Sequence, residues 1–152
     1  MEELVGKNVK NSNFEDYDFE KLNESNIIGL YFYASFCPVC RNFTKLLIEF
    51  YNEINRDKHK MEIVLIPLDN EEEEFKKHIN KMPWATLPFN DSKIKEIVAK
   101  YSITSIPKLL IFNNQGKKIS MEGRKEIGIK GYSAFNLWLQ TSPLDDNLEN
   151  TI

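Results

Sequence analysis

Phe36-Cys37-Pro38-Val39-Cys40-Arg41 stands between two runs of different period, and that junction decides the fold. Upstream, Ile27-Ile28-Gly29-Leu30-Tyr31-Phe32-Tyr33-Ala34 is apolar on both faces, as a strand covered on both sides must be. Downstream, Val39, Cys40, Phe43, Leu46, Leu47, Phe50, Tyr51 and Ile54 recur at three- and four-residue steps, which predicts a helix of about four turns with one apolar stripe. Pro38 suits the first helical turn, where its missing N–H costs nothing. Cys37 then falls at the exposed helix tip, where unpaired N–H groups and the helix dipole favour a thiolate, and Cys40 falls on the buried stripe.

Working outward, Met61 to Leu68 reads as a second buried strand, and Glu71 opens a helix with Phe75, Ile79 and Met82 on one face. Met82-Pro83-Trp84-Ala85-Thr86-Leu87-Pro88-Phe89 is read as irregular, because two prolines interrupt it. Asn90-Asp91-Ser92 offers an N-cap for a helix carrying Ile94, Ile97, Val98 and Tyr101 inward. Lys108 to Phe112 and Lys117 to Met121 form a hairpin across Asn113-Asn114-Gln115-Gly116, and a last helix includes Tyr132 to Leu139. In the polar stretch before Ile27, Leu4-Val5 and Val9 suggest a short edge strand followed by a short helix. The expectation is one α/β domain over residues 1–152, with 1–26 as an N-terminal extension and 140–152 as a polar tail.

The 152 residues are 41% hydrophobic and 12% aromatic, enough for a packed core. A net charge of −3 argues against a nucleic-acid partner, which needs a basic face. Met1-Glu2-Glu3-Leu4 lacks the basic and apolar regions of a signal peptide, and no apolar run approaches the ~18 residues of a membrane span. The expected location is cytoplasmic, with no membrane partner, and structural disulfides are rare there. Both cysteines lie in one C-x-x-C, which leaves a catalytic or a metal-binding role. A zinc site needs four ligands, and neither a second C-x-x-C nor an H-x₃₋₅-H exists, so no metal is expected. His59, in a charged loop, and His78, on a helix face, read as bystanders.

Three stretches carry a resemblance to a known family. Leu30 to Arg41 around the cysteines, Lys81 to Phe89 with its Met-Pro-Trp and Leu-Pro-Phe, and Tyr101 to Pro107 resemble the thioredoxin superfamily, and within it the tryparedoxin and nucleoredoxin group. The resemblance implies a thioredoxin-like fold, a central mixed β-sheet flanked by helices on both faces. It implies a thiol–disulfide oxidoreductase, a protein-disulfide reductase of cell redox homeostasis, in which Cys37 attacks and Cys40 resolves. Pro107 would be the cis-proline facing the pair, with Ile106 holding an extended substrate; an ordinary trans proline is the default otherwise. Phe36, Pro38, Val39 and Trp84 would form the rim, Trp84 being equally well placed as plain core. Arg41 supports the thiolate or faces solvent, and Asp69, or Glu71, is the candidate acid.

The sequence departs from the family in having Phe36 for tryptophan, Val39 for a second proline, and Tyr31 where thioredoxins keep a buried aspartate. No bound cofactor is implied: the electrons would sit in a Cys37–Cys40 disulfide, renewed by a low-molecular-weight thiol or a reductase and passed to protein disulfides such as those of peroxiredoxins. The rival reading is a redox-sensing interaction module whose cysteine pair switches partner binding.

Overall fold

The computed structural model of the protein describes residues 1–144; of the expected polar tail, residues 145–152 lie outside the described residues. The N-terminal segment forms two short helices, α1 (Glu2–Val5) and α2 (Glu20–Glu24). Strand β1 (Ile27–Tyr33) leads into helix α3 (Pro38–Ile54), strand β2 (Met61–Pro67) and helix α4 (Glu72–Ile79). Then come β3 (Ala85–Thr86), α5 (Ser92–Lys100), the hairpin of β4 (Lys108–Asn113) and β5 (Lys118–Ser120), and helices α6 (Gly123–Lys130) and α7 (Ser133–Gln140).

All seven residues of β1 are buried, because the strand is central in a mixed sheet of order β3-β2-β1-β4-β5. It pairs in parallel with β2, from Ile27 opposite Met61 to Tyr33 opposite Pro67. It pairs antiparallel with β4, from Ile27 opposite Asn113 to Phe32 opposite Lys108. Alternate side chains then feed two core layers. Ile27, Tyr31, Tyr33, Met61, Ile63 and Leu65 pack against α3, α6 and α7. Ile28, Leu30, Phe32, Val64 and Ile66 pack against Val5, Leu22, Ile94 and Ile97 on the other face. This is the thioredoxin-like α/β arrangement.

The stripe of α3 is narrower than its spacing suggests: Cys40, Phe43, Leu47, Phe50 and Tyr51 are buried, whereas Val39 and Leu46 are 49% and 44% exposed. Three further differences have local causes. Leu4-Val5 forms a helical turn rather than a strand, and sheet character survives only as single bridges from Lys10 to Asp16 and Thr86. The proline-rich segment is not wholly irregular, since Ala85 and Thr86 pair with Val64 and Leu65 between the two prolines. Helix α6 has no sequence signal, because two glycines and one buried isoleucine, Ile127, make no stripe.

What holds α6 is close approach to the sheet. A Cβ on Gly123 would stand 2.9 Å from the Leu109 carbonyl and 3.0 Å from the Ile111 side chain, whereas one on Gly128 would meet nothing within 4 Å. Gly123→Ala is therefore expected to destabilise by about 1–3 kcal/mol through overpacking. Gly128→Ala, in the same helix, should be neutral or stabilising by up to ~1 kcal/mol. Thermal unfolding of the two variants checks this, at about 2–4 °C per kcal/mol for a chain of this size; equal midpoints would contradict the packing.

Candidate active site

β1 delivers the cysteine pair to the carboxyl end of the sheet. After Tyr33 the chain turns through Ala34 and Ser35, and Cys37 becomes the N-cap of α3 in extended conformation, φ −95° and ψ 110°. Its Sγ accepts the Cys40 backbone N–H at 3.2 Å, the place an N-cap oxygen usually takes. Pro38 at the first helical positions removes a donor that has no partner there. Both thiols are free; Cys37 is half-buried and Cys40 fully buried. Burial above all, and then its contact with Cys37, pushes the Cys40 thiol up to about 12.

Ser35, two residues before Cys37, is held from both sides. Its backbone N–H donates to Asp69 at 3.2 Å, its hydroxyl donates to the same carboxylate, and its carbonyl accepts from Arg41 Nη1 at 2.7 Å. Asp69, just beyond β2, and Arg41, in the first turn of α3, thus lock the loop to the sheet and to the helix. Burial holds the Asp69 carboxyl above the usual carboxylate range, against the hydrogen bonds from Ser35. Beneath the pair, the Tyr31 hydroxyl donates to the Cys40 carbonyl at 3.1 Å and lies 2.8 Å from Thr44 Oγ1, which also donates to that carbonyl at 2.8 Å. Tyr31 thus braces the Cys40 backbone, and burial keeps its phenol protonated.

The expected rim divides. Phe36 is 58% exposed and Val39 49%, so both flank Cys37 as apolar surface, with Pro38 exposed between them. Trp84 is not at the rim. It is 2% exposed, with ring centroids 6.1 Å from Tyr31 and 5.6 Å from Tyr51, because pairing of Ala85 with Val64 draws the segment onto the sheet edge. Ile106 is half-buried against both core layers, Pro107 is buried, and the bond between them is cis. Since Lys108 lies opposite Phe32, Pro107 abuts the end of β1 from which the cysteine loop springs.

Sequence reading missed Ser35, Thr44 and Arg124. Thr44 lies four residues after Cys40, the spacing for a hydroxyl bond back to a helical carbonyl, so a local signal existed. Arg124, whose guanidinium lies 5.8 Å from the Phe43 ring centre and whose charge reaches Cys40, had none, because α6 itself was not legible. Among the described residues, no group of three or more His, Cys, Asp or Glu forms a metal site. No helix among them is long and apolar enough to cross a membrane.

A mixed sheet with a Cys-x-x-Cys capping the helix that follows its central strand defines a thioredoxin-like protein, and comparison with known proteins agrees. A family model described as thioredoxin-like matches residues 23–118. Nucleoredoxin of Xenopus laevis is 38% identical over 105 residues, covering 68% of this chain and 25% of that protein. Probable nucleoredoxin 3 of Oryza sativa subsp. japonica is 39% identical over 109 residues, 71% of this chain and 23% of that protein. The chain thus spans about a quarter of the length of these curated relatives. Tryparedoxin I from Leishmania major superposes with a TM-score of 0.75 at 32% identity, covering 82% of this chain and 86% of that one. Tryparedoxin II from C. fasciculata in complex with glutathionylspermidine gives 0.75 at 31%, covering 84% and 89%. The chain belongs to the thioredoxin superfamily as a tryparedoxin/nucleoredoxin-like member, a family of oxidoreductases.

The unequal burial of the two thiols has measurable consequences. In the reduced protein at about pH 8, iodoacetamide should label Cys37 and spare Cys40, read by peptide mass spectrometry. The Cys40 thiol titrates near 9.0 when unfolded and near 12 when folded, so the folded state keeps its proton longer. The reduced protein should therefore lose stability as pH rises through that interval, and Cys40→Ala should lose less, as urea midpoints at each pH will report.

Proposed function

We propose that the protein is a thiol–disulfide oxidoreductase that reduces protein disulfides through its Cys37–Cys40 pair. The carrying observation is the Cys40 N–H on Cys37 Sγ at 3.2 Å, beside a buried, free Cys40. The Cys40 amide and the N-terminal end of the α3 dipole both point at the outer sulfur, which stands at the helix tip. As thiolate, Cys37 attacks one sulfur of a substrate disulfide; a Cys37–substrate disulfide forms, and the other substrate sulfur leaves and takes up a proton. Cys40 then gives up its proton and attacks Cys37 Sγ, forming the Cys37–Cys40 disulfide. The second substrate sulfur leaves as a thiolate and takes up a proton in turn. Two electrons pass from the protein to the substrate, and two protons balance them.

The exposed Phe36 and Val39 offer apolar contact to the polypeptide around a substrate disulfide, and the chain at Ile106-Pro107 supplies the edge along which an extended segment can lie. Asp69 and Arg41 act through Ser35 as positioning residues. An external dithiol or a reductase returns the pair to its reduced form, with no bound cofactor. A low-molecular-weight thiol is the favoured donor, supported by the likeness to a tryparedoxin solved with glutathionylspermidine. Protein disulfides of the peroxiredoxin type, in the cytoplasm, are the substrates proposed.

Insulin-disulfide reduction driven by a dithiol tests the reading. Cys37→Ser should lose activity by at least about a thousandfold, since the nucleophile is gone. Cys40→Ser should accumulate a mixed disulfide with insulin chains, visible by non-reducing electrophoresis and mass. Full activity in Cys37→Ser would sink the proposal.

A further inference from the structure

Asp69 is a half-buried carboxyl that can still exchange its proton with solvent, because it lines two open clefts. One, of about 170 Å³, is shared with Ser35, Phe36, Glu71 and Glu74; the other, of about 490 Å³, is shared with Asp91 and Lys95. Its two oxygens also hold the cysteine loop. The Ser35 N–H donates to both, at 3.3 Å to Oδ1 and 3.2 Å to Oδ2, and the Ser35 hydroxyl donates to Oδ2. Ser35 is 4% exposed, so neither donor can turn to water instead. Its carbonyl accepts from Arg41 Nη1 at 2.7 Å, which leaves Asp69 as the hold on the other side of the residue.

This grip depends on charge. An ionised carboxylate accepts from both Ser35 donors, and hydrogen bonds to a charged acceptor are roughly twice as strong as neutral ones. Once protonated, the carboxyl has an O–H to donate, the serine hydroxyl must turn about to accept it, and every remaining bond is neutral. Burial, opposed by the Ser35 bonds, holds the carboxyl above the ordinary aspartate value of 3.8 and so moves its titration toward neutrality.

The groups that face Asp69 come from four elements. Arg41 on α3, across Ser35, and His78 on α4 favour its charge, as does Lys95 on α5 across the larger cleft. Glu71 and Glu74, at the N-cap and in the first turns of α4, and Asp91, at the N-cap of α5, oppose it. Tyr33, at the end of β1, keeps its phenol protonated through burial and adds no charge.

We propose that Asp69 is an acid-responsive lock on the nucleophile: ionised, it fixes the loop so that Cys37 Sγ meets the Cys40 amide, and protonated, it lets the loop loosen and the reductase slow. This regulation rests on the reductase function, and Asp69 serves it as a positioning residue that acts through Ser35.

Two measurements on the full chain test it. The first is independent of activity: the Ser35 amide resonance should shift with pH at a midpoint above 3.8, and its hydrogen exchange, relative to an unprotected amide, should quicken on the acid side. The second follows oxidation of the reduced protein by bis(2-hydroxyethyl) disulfide, which has no titrating group from about pH 4 to pH 8. Each rate is divided by the fraction of Cys37 thiolate, read from ultraviolet absorbance. The rate per thiolate should fall by about three- to tenfold on the acid side of the Ser35 midpoint. Asp69→Asn, an isostere of the protonated form, should show the low rate per thiolate at every pH. Ser35→Ala should move the midpoint upward, since a bond that favours the charged form is gone, and His78→Gln should move it upward while keeping the step. Should Asp69→Asn not fold, the wild-type step and the Ser35→Ala shift decide. A rate per thiolate that is flat across the midpoint, a Ser35 amide that does not titrate, a step surviving in Asp69→Asn, or equal midpoints in Ser35→Ala and wild type would overturn the lock and leave the reductase standing. Full insulin reduction by Cys37→Ser would instead remove the reductase and leave the Ser35 titration as it is.

Discussion

Strand β1 is paired with β2 from Ile27 to Tyr33 and with β4 from Ile27 to Phe32, and that double pairing is the constraint on which the rest depends. Parallel pairing with β2 requires a crossover, which α3 supplies, and antiparallel pairing with β4 brings the Ile106-Pro107 segment beside the end of β1. With seven buried residues, a one-residue slip would exchange the side chains of the two core layers, so the register is strongly specified. The position of Cys37 follows from it: the first sulfur has to emerge where the strand ends and the helix begins.

Within that frame the two cysteines differ by environment alone. Cys37 has the amide of Cys40 aimed at its sulfur, while Cys40 has its carbonyl held by Tyr31 and Thr44 and its thiol pushed up by burial. The loop between strand and helix is kept from moving by Asp69 and Arg41, which meet on Ser35. A carboxylate that grips a serine backbone N–H and hydroxyl orients the loop that leads to the sulfurs. Tyr31, at the position where thioredoxins carry an aspartate, makes a bond of the same kind, to the backbone of Cys40 and not to a thiol.

The opposite end of β2 shows a different use of polar groups. Glu62 interrupts a run of apolar residues inside a buried strand, and it is tolerated because two tyrosines and a backbone amide surround it. One of those tyrosines, Tyr17, belongs to the N-terminal segment, so that segment is fastened to the sheet through a carboxylate as well as through Val5, Val9 and Leu22. His59 takes part in this fastening through Ser25, a role not visible in a loop sequence of mixed charge.

What the sequence determined by itself is whatever depends on neighbours along the chain. The period of side-chain polarity marked β1, α3, β2 and α5. Asp91 was legible as part of a cap and Gly116 as part of a turn, and the C-x-x-C spacing placed one sulfur at a helix tip and the other inside. Only the tertiary structure decided what depends on neighbours through space. Trp84 turns inward because Ala85 and Thr86 add to the sheet edge, and two residues of pairing leave no periodic trace. Helix α6 exists because a glycine fits against the Leu109 carbonyl, and it carries Arg124 to the Phe43 ring. The grip of Asp69 on Ser35 joins residues 34 apart, which no local pattern can announce. Hydrophobic period is a property of a segment, whereas a hydrogen bond or a close contact belongs to a pair, and the fold alone chooses the pairs.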